Sequence, residues 1–308
     1  MTARVRVPAS SSNLGAGFDC IGVAVDRWLT ATALPAAGNT ISIRRRGRLT
    51  AVSVVVDEDL LARGFRAAGG RGGMIDATSD IPVGSGLGSS AAAIVAGVLL
   101  ADAALELNLS RQQVVEIAAA IEGHPDNVAP AVYGGAVLSV RTSSGVVSTP
   151  LSVAAGLELV LAVPPFPSDT KAARALLPKT LPHADAVLAA SRAAALVQGL
   201  LSGDGALLGA ALDDVLHVPF RRARIPGYDA VVAAAQDAGA FGATLSGAGS
   251  AIVAIAPRER AAPVGAAMIA AWRAAGVEAE LIRSAHPVAG AAVHRIPQMT
   301  HPVSTELS

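Results

Sequence analysis

The residues best placed to do chemistry lie in Ile81-Pro-Val-Gly-Ser-Gly-Leu-Gly-Ser-Ser-Ala-Ala-Ala93. Gly84, Gly86 and Gly88 alternate along it, and Ser89 and Ser90 follow. Glycines let backbone N–H groups turn inward, and a helix that starts at the serines adds the partial positive charge of its N-terminus. Such a site takes an anion, and its natural ligand is a phosphate. The stretch holds no lysine, and the whole chain has only Lys171 and Lys179. It is therefore not the lysine-bearing loop of the common nucleotide hydrolases.

A second cluster, Glu122-Gly-His-Pro-Asp-Asn127, places Glu122, His124, Asp126 and Asn127 within six residues. A zinc cage of His and carboxylates normally needs helical or hairpin spacing, which Pro125 spoils. Magnesium needs only one or two protein oxygens, the rest coming from phosphate and water. A carboxylate at the end of this helix supplies what the glycine stretch lacks, and Glu116, six residues earlier, is the competing one. A third stretch, Pro8 to Gly22, is rich in Ser and Gly, with Asn13 and Asp19 as its long-reaching polar side chains. It reads as a loop that closes over a ligand, or else as a surface turn.

Alternating or apolar runs predict strands at 3–7, 23–32, 40–44, 49–56, 74–81, 136–141, 146–150, 157–164 and 277–282. A further pair of strands, joined by a tight turn, is predicted within 241–255. Helical spacing predicts helices over 57–68, with Asp57 placed to cap, 91–105, 110–123 between Ser110 and Gly123, 170 onward, 185–201, 205–216, 228–238 and 261–275. The tail from Pro297 reads as unstructured. Interleaved strands and helices make the class α+β or α/β. A boundary near residue 150 gives an N-terminal α/β unit, 1–150, with the glycine stretch leading into a helix, and a C-terminal unit, 151–308.

The 308 residues carry no net formal charge, with 22 arginines spread along the chain. Nucleic-acid binding needs a concentrated basic face and is disfavoured. The apolar run after the glycine stretch, Ala91 to Ala101, is too short to span a bilayer. No membrane segment or signal peptide is expected, and the lone Cys20 fits a reducing, cytoplasmic setting.

Three small-residue stretches thus stand in order: 8–22, 81–93 and Leu245-Ser-Gly-Ala-Gly-Ser250. This arrangement resembles the GHMP small-molecule kinases, which group galactokinase, homoserine kinase, mevalonate kinase and phosphomevalonate kinase. Pro82 to Ala92 looks like that family's phosphate loop. Within the family, residues 8–22, Glu122 to Ala131, Thr170-Lys-Ala-Ala-Arg174, Pro219-Phe-Arg221 and Ile225-Pro-Gly227 are similar to the homoserine kinases. The similarity runs over about residues 3–295. Ala16 and Ser250 stand where the family usually has proline, and 57–70, where relatives contact adenine, matches weakly.

The resemblance implies a two-domain kinase fold with a ferredoxin-like α+β C-terminal domain. It implies ATP and L-homoserine as substrates, in threonine biosynthesis, and magnesium as the cofactor. A homodimer is compatible with it. By the family pattern, Pro82, Val83, Gly84, Ser85, Gly86, Leu87, Gly88, Ser89, Ser90 and Ala91 take the nucleotide phosphates, and Ser90 and Glu122 hold the metal. Homoserine brings a carboxylate, which suits Arg174 and Arg221, and an ammonium, which suits Asp19 with Asn13. Asp126 and Asn127 lie nearest the expected hydroxyl, Asn127 to position it and Asp126 to act on it or to support the loop. Thr170 touches substrate or caps its helix. His124 and His217 are each ambiguous between substrate contact and structure. No general base stands out, although Asp19 and Asp126 are the candidates; otherwise the hydroxyl proton passes to the phosphate. The competing readings are a sister kinase for mevalonate, threonine or another small alcohol, a nucleotide-binding regulator without catalysis, and a nonspecific apolar scaffold.

Overall fold

A computed structural model describes residues 2–34, 38–285 and 287–296. Two antiparallel strands form its backbone, β1 (Thr2–Asn13) and β2 (Gly17–Leu34). They are joined by a three-residue turn and paired from Ala3↔Ala33 to Asn13↔Gly17, with register shifts at Pro8/Ala9 and Ser12/Asn13. The stretch 8–22, expected to be a loop, is thus the closed end of this pair. Small Ser, Ala and Gly side chains there let two strands and their neighbours approach closely.

β2 is long enough to serve two partners. Its far end pairs with β4 (Gly73–Ser79), which runs parallel to β3 (Ile41–Gly47) after a crossover through α1 (Leu60–Ala67). Its near end pairs with β5 (Ala136–Thr142), which continues into β6 (Gly145–Leu151). Over this sheet lie α2 (Ser89–Leu105), α3 (Arg111–Glu122) and the short α4 (Val128–Tyr133). α2 is buried nearly all round, which explains its unbroken alanine and leucine composition. Ser110 and Gln113 form the capping box that starts α3, and Gly123 in the left-handed region ends it.

The second sheet is fully antiparallel, in the order β10-β7-β9-β8. Its strands are β7 (Leu157–Val163), β8 (Gly242–Leu245), β9 (Ile252–Pro257) and β10 (Glu280–Ala285). The helices α5 (Thr170–Ala175), α6 (His183–Ser202), α7 (Gly205–Leu212), α8 (Val218–Arg221) and α9 (Tyr228–Asp237) lie between β7 and β8, and α10 (Ala261–Ala274) between β9 and β10. The strand order is that of the expected ferredoxin-like unit. The period of two along β7 splits its side chains: Leu157, Leu159, Leu161 and Val163 join the main core, while Val160 and Ala162 pack under α9 and α10 with Trp272 and Met268. The chain then returns to the first sheet, where β11 (Ala292–Ile296) pairs with β1.

Several expectations are corrected. Residues 49–56 form a 3-10 turn and irregular chain, not a strand, because Leu49, Val52 and Val54 turn their apolar side chains into a pocket beside α1. Asp59, not Asp57, caps α1, accepting from the N–H groups of Leu61 and Ala62. The helix over 205–216 stops at Leu212, and the strand over 277–282 is shifted to Glu280–Ala285. The tail from Pro297 lies outside the described residues. Among those residues one helix, α6, is long and apolar enough to cross a bilayer by length and composition; here it packs on α7 with Leu196 and Leu200 fully buried.

Candidate active site

The three small-residue stretches converge. The N–H of Ser10 donates to the carbonyl of Leu87, at 3.1 Å, and that of Gly247 to the carbonyl of Ser12, at 3.0 Å. The N–H of Ala251 donates to Ser85 O (2.9 Å), and the Ser246 hydroxyl donates to Gly86 O (2.6 Å) while lying 2.8 Å from the Ser11 hydroxyl. Backbones this close exclude side chains: a Cβ on Gly86 would stand 2.1 Å from Ser246 O. The middle stretch is therefore clamped between the two sheets.

Gly84, Gly86 and Gly88 all have φ in the left-handed region, at 67°, 83° and 64°. Gly88 precedes α2 without any side-chain cap, so the helix's first N–H groups are left to a ligand. They open on a narrow cleft of about 70 Å³ bounded by Gly84, Gly86, Gly88, Ser89, Ser90, Glu122 and, opposite, by the substrate-side candidates. At its floor the Ser90 hydroxyl donates to Glu122, 2.5 Å away. Burial pushes the Glu122 carboxyl up, against the lowering effect of the Ser90 bond. A half-buried carboxylate beside a hydroxyl, facing a phosphate loop, suits a hard divalent cation with few protein ligands. Among the described residues no three His, Cys, Asp or Glu side chains are grouped as a zinc cage needs.

The opposite wall carries charge in an unusual distribution. Arg174, on the last turn of α5, makes two bonds to Asp19, at 2.8 and 2.7 Å. Burial raises the Asp19 carboxyl, but the bond and charge of Arg174 outweigh it and hold it below the ordinary value. Arg221, at the end of α8, is only 3% exposed, and among the described residues no carboxylate pairs with it. Its Nε donates to Ala173 O (3.3 Å), and its Nη1 lies 3.2 Å from His217 Nδ1. Burial, then the neighbouring Arg174 cation, press its pKa down. The Phe18 ring stands between the two guanidiniums, 5.5 Å from Arg174 and 5.3 Å from Arg221. His124 Nδ1 lies 2.7 Å from Asp126. Burial opposes the charged imidazole, yet Asp126, Glu122 and Asp19 together raise its pKa.

Two predicted residues serve the frame more than the cleft they border. The Asn13 carboxamide bridges the N–H of Asp19 and the carbonyl of Gly247, both at 3.0 Å. That of Asn127 accepts from Ser10 Oγ and donates to Ser12 Oγ, both at 2.9 Å. Thr170 opens α5 and borders the cleft, but Asp169 is the cap. Of the predicted loop, Ser85, Leu87 and Ala91 turn their side chains inward and Pro82 and Val83 face away from the cleft, so any part they play in holding phosphate is through backbone.

Residues 53–135 match the family model of the GHMP kinases N terminal domain, and residues 193–274 match that of the GHMP kinases C terminal. A homoserine kinase from Synechococcus sp. is 40% identical over 292 residues, 92% of this chain and 95% of the relative. The chain belongs to the GHMP kinase family. Another relative, a homoserine kinase of Trichormus variabilis, is 41% identical over 287 residues, 91% of this chain and 94% of that one. The crystal structure of homoserine kinase from Cytophaga hutchinsonii superposes with a TM-score of 0.86 at 31% identity, covering 95% of this chain and 97% of that chain. The mevalonate kinase of L. major, solved with R-mevalonate, has a TM-score of 0.65 at 18% identity over 92% of this chain and 96% of that chain, a likeness of fold.

This GHMP kinase has a second opening that sequence reasoning missed. Beside the glycine loop lies an apolar pocket of about 470 Å³, walled by Leu49, Val52, Val54, Leu60, Val83 and Ala93 and sharing Ser89, Ser90 and Thr170 with the polar cleft. Its signal was present as the apolar run 49–56, read as a strand. Phe18, Ser12, Ser168 and Ala248 also border the cleft, and His217 lies behind Arg221. Ser10, Ser12 and Ser168 are indistinguishable in sequence from other loop serines, and only the fold brings them in.

Proposed function

We propose that this GHMP kinase transfers the γ-phosphoryl group of ATP to the side-chain hydroxyl of L-homoserine. One observation carries the reading: the clamped loop and the open N-terminus of α2 face, across one cleft, the positive and negative groups that match an amino-acid zwitterion. The curated homoserine kinases, similar over nine-tenths of the chain, support the same substrate. A hydroxy-acid such as mevalonate has no ammonium to offer Asp19, which favours homoserine over it.

Phosphoryl transfer asks the protein mainly for position and charge neutralisation. Backbone N–H groups from Gly84 to Ser90 hold the phosphates, and the apolar pocket receives the adenine. Ser90 and Glu122 are the residues that would hold magnesium, which when bound neutralises charge on the phosphates. Arg221 and Arg174 take the substrate carboxylate, and Asp19 its ammonium. Asn127, locked by Ser10 and Ser12, keeps the floor of the cleft in register with β1. Asp126 is tied to His124, so the hydroxyl proton passes to the phosphate rather than to a dedicated base. The proposal extends to two structural units meeting near residue 150 and to a cytoplasmic homodimer, the location resting on the single free Cys20.

The test is ADP release from ATP with a panel of L-homoserine, L-threonine, 4-hydroxybutyrate and mevalonate, with and without magnesium. Magnesium-dependent turnover is expected with L-homoserine well above the others. Equal rates with homoserine and either hydroxy-acid would overturn the assignment.

A further inference from the structure

His217 takes no part in the reaction described above, yet it is fully buried against the substrate wall of the cleft. It precedes α8, and Arg221 follows one helical turn later. The Asp214 carboxylate holds this turn, accepting from the N–H groups of Leu216, His217 and Val218 at 2.9, 2.6 and 2.8 Å. The imidazole lies against the Phe18 ring, centroids 4.9 Å apart and planes 22° from parallel.

Its two nitrogens meet partners of opposite kind. Nε2 lies 3.2 Å from the carbonyl of Gly15, which only accepts. Nδ1 lies 3.2 Å from Nη1 of Arg221, which only donates. A single arrangement of protons satisfies both: a neutral ring with its hydrogen on Nε2 and a lone pair on Nδ1. A second proton would set N–H against N–H and cation against cation. The other charged groups around the ring are Asp214, 3.7 Å from Nε2, and Asp19 farther off. Asp214 is already taken up by three backbone N–H groups.

The ring also spans two parts of the site. Gly15 belongs to the turn between β1 and β2, Phe18 and Asp19 to the start of β2, and Arg221 to the C-terminal unit. Among the described residues no carboxylate holds the Arg221 guanidinium, and its direction is set by two neutral acceptors, Ala173 O and His217 Nδ1. We propose that His217 is a positioning residue: as the neutral Nε2–H tautomer it aims the Arg221 guanidinium at the substrate carboxylate and ties it to the turn that leads into Asp19 on β2. This rests on the reading of Arg221 as the holder of that carboxylate.

Two measurements test it. In the 15N-labelled protein near neutral pH, the His217 ring is expected to carry one proton, on Nε2. A proton on Nδ1 overturns the proposal whatever the enzyme acts on. In kinetics, His217→Phe keeps an aromatic ring but removes the acceptor. It is expected to raise KM for L-homoserine about tenfold, the usual worth of a hydrogen bond to a charged group, and to leave KM for ATP within about twofold. His217→Asn returns an oxygen at the place of Nδ1 and is expected to restore most of the loss. An unchanged homoserine KM in His217→Phe, an equal rise in both KM values, or no recovery in His217→Asn overturns it. If L-homoserine is no substrate at all, the functional reading fails, and the tautomer still decides what His217 does for Arg221.

Discussion

Asp19 and Arg174 occupy each other: the carboxylate that suits a substrate ammonium and the guanidinium that suits a substrate carboxylate form a two-point ion pair at 2.7 and 2.8 Å. A zwitterion entering the cleft can replace both halves at once, leaving no charge unpaired, whereas a plain hydroxy-acid strands Asp19. Both side chains are partly exposed, 35% and 43%, so the pair adds at most about 1 kcal/mol to stability. Asp19→Asn is therefore expected to weaken L-homoserine binding about tenfold or more while leaving the melting temperature almost unchanged. Calorimetric titration and thermal melting check this. Wild-type affinity combined with a loss of turnover by many orders of magnitude would instead mark Asp19 as the general base.

The clamp on the glycine loop gives a prediction of opposite character, large in stability. Gly86 has φ of 83°, and a Cβ there would meet Ser246 O at 2.1 Å and Gly249 O at 2.8 Å, both backbone atoms that cannot swing aside. Left-handed strain of about 1–2 kcal/mol adds to about 1–3 kcal/mol of overpacking. Gly86→Ala is expected to lower unfolding free energy by about 2–5 kcal/mol in urea titration. Gly123, which also has positive φ but open space around its Cβ position, is the control: Gly123→Ala should cost only the backbone strain.

Much of this site is legible in sequence because its chemistry is local. The loop glycines, the capped helix α3 and Glu122 at its end are read directly from spacing, and the structure brings Ser90 to Glu122 across 32 positions. What sequence could not yield is partnership. Asn13 and Asn127 look like free carboxamides on loops, yet each is engaged at both its oxygen and its nitrogen, Asn13 by Asp19 N–H and Gly247 O and Asn127 by Ser10 and Ser12 far along the chain. The run 49–56 has strand composition, but its apolar residues wall a pocket instead of pairing with a neighbour. β11 is a short, mostly exposed edge strand with no strong pattern, so its return to β1 depends on the whole fold.

Glu122 and Ser90 are the residues whose loss separates metal use from nucleotide binding. With Glu122→Gln the shape and the Ser90 bond can persist, but the negative charge is gone. The magnesium concentration for half-maximal turnover is expected to rise at least about tenfold, with a smaller effect from Ser90→Ala. Varying magnesium at fixed ATP measures both. Unaltered magnesium dependence in Glu122→Gln would take the metal role from Glu122; Glu116, the competing carboxylate on α3, is exposed, is bonded by Gln112 and does not line the cleft.

His217 also predicts how stability follows pH. Burial holds its pKa at about 4, against 6.5 for a free histidine. Between these values the unfolded chain binds a proton that the folded chain refuses, so unfolding is favoured as pH falls. The stability tied to the neutral ring is complete above about pH 6.5 and is lost progressively down through about pH 4; its size is on the order of 3 kcal/mol. His217→Phe cannot take up that proton in either state. Urea denaturation at a series of pH values should therefore give a shallower decline for the variant than for the wild type within this window. The two curves should run parallel from pH 7 to 8, where the histidine is neutral folded or unfolded. Equal slopes between pH 4 and 6.5 would mean that the buried ring is protonated in the folded protein, against the donor-to-donor contact this would create with Arg221.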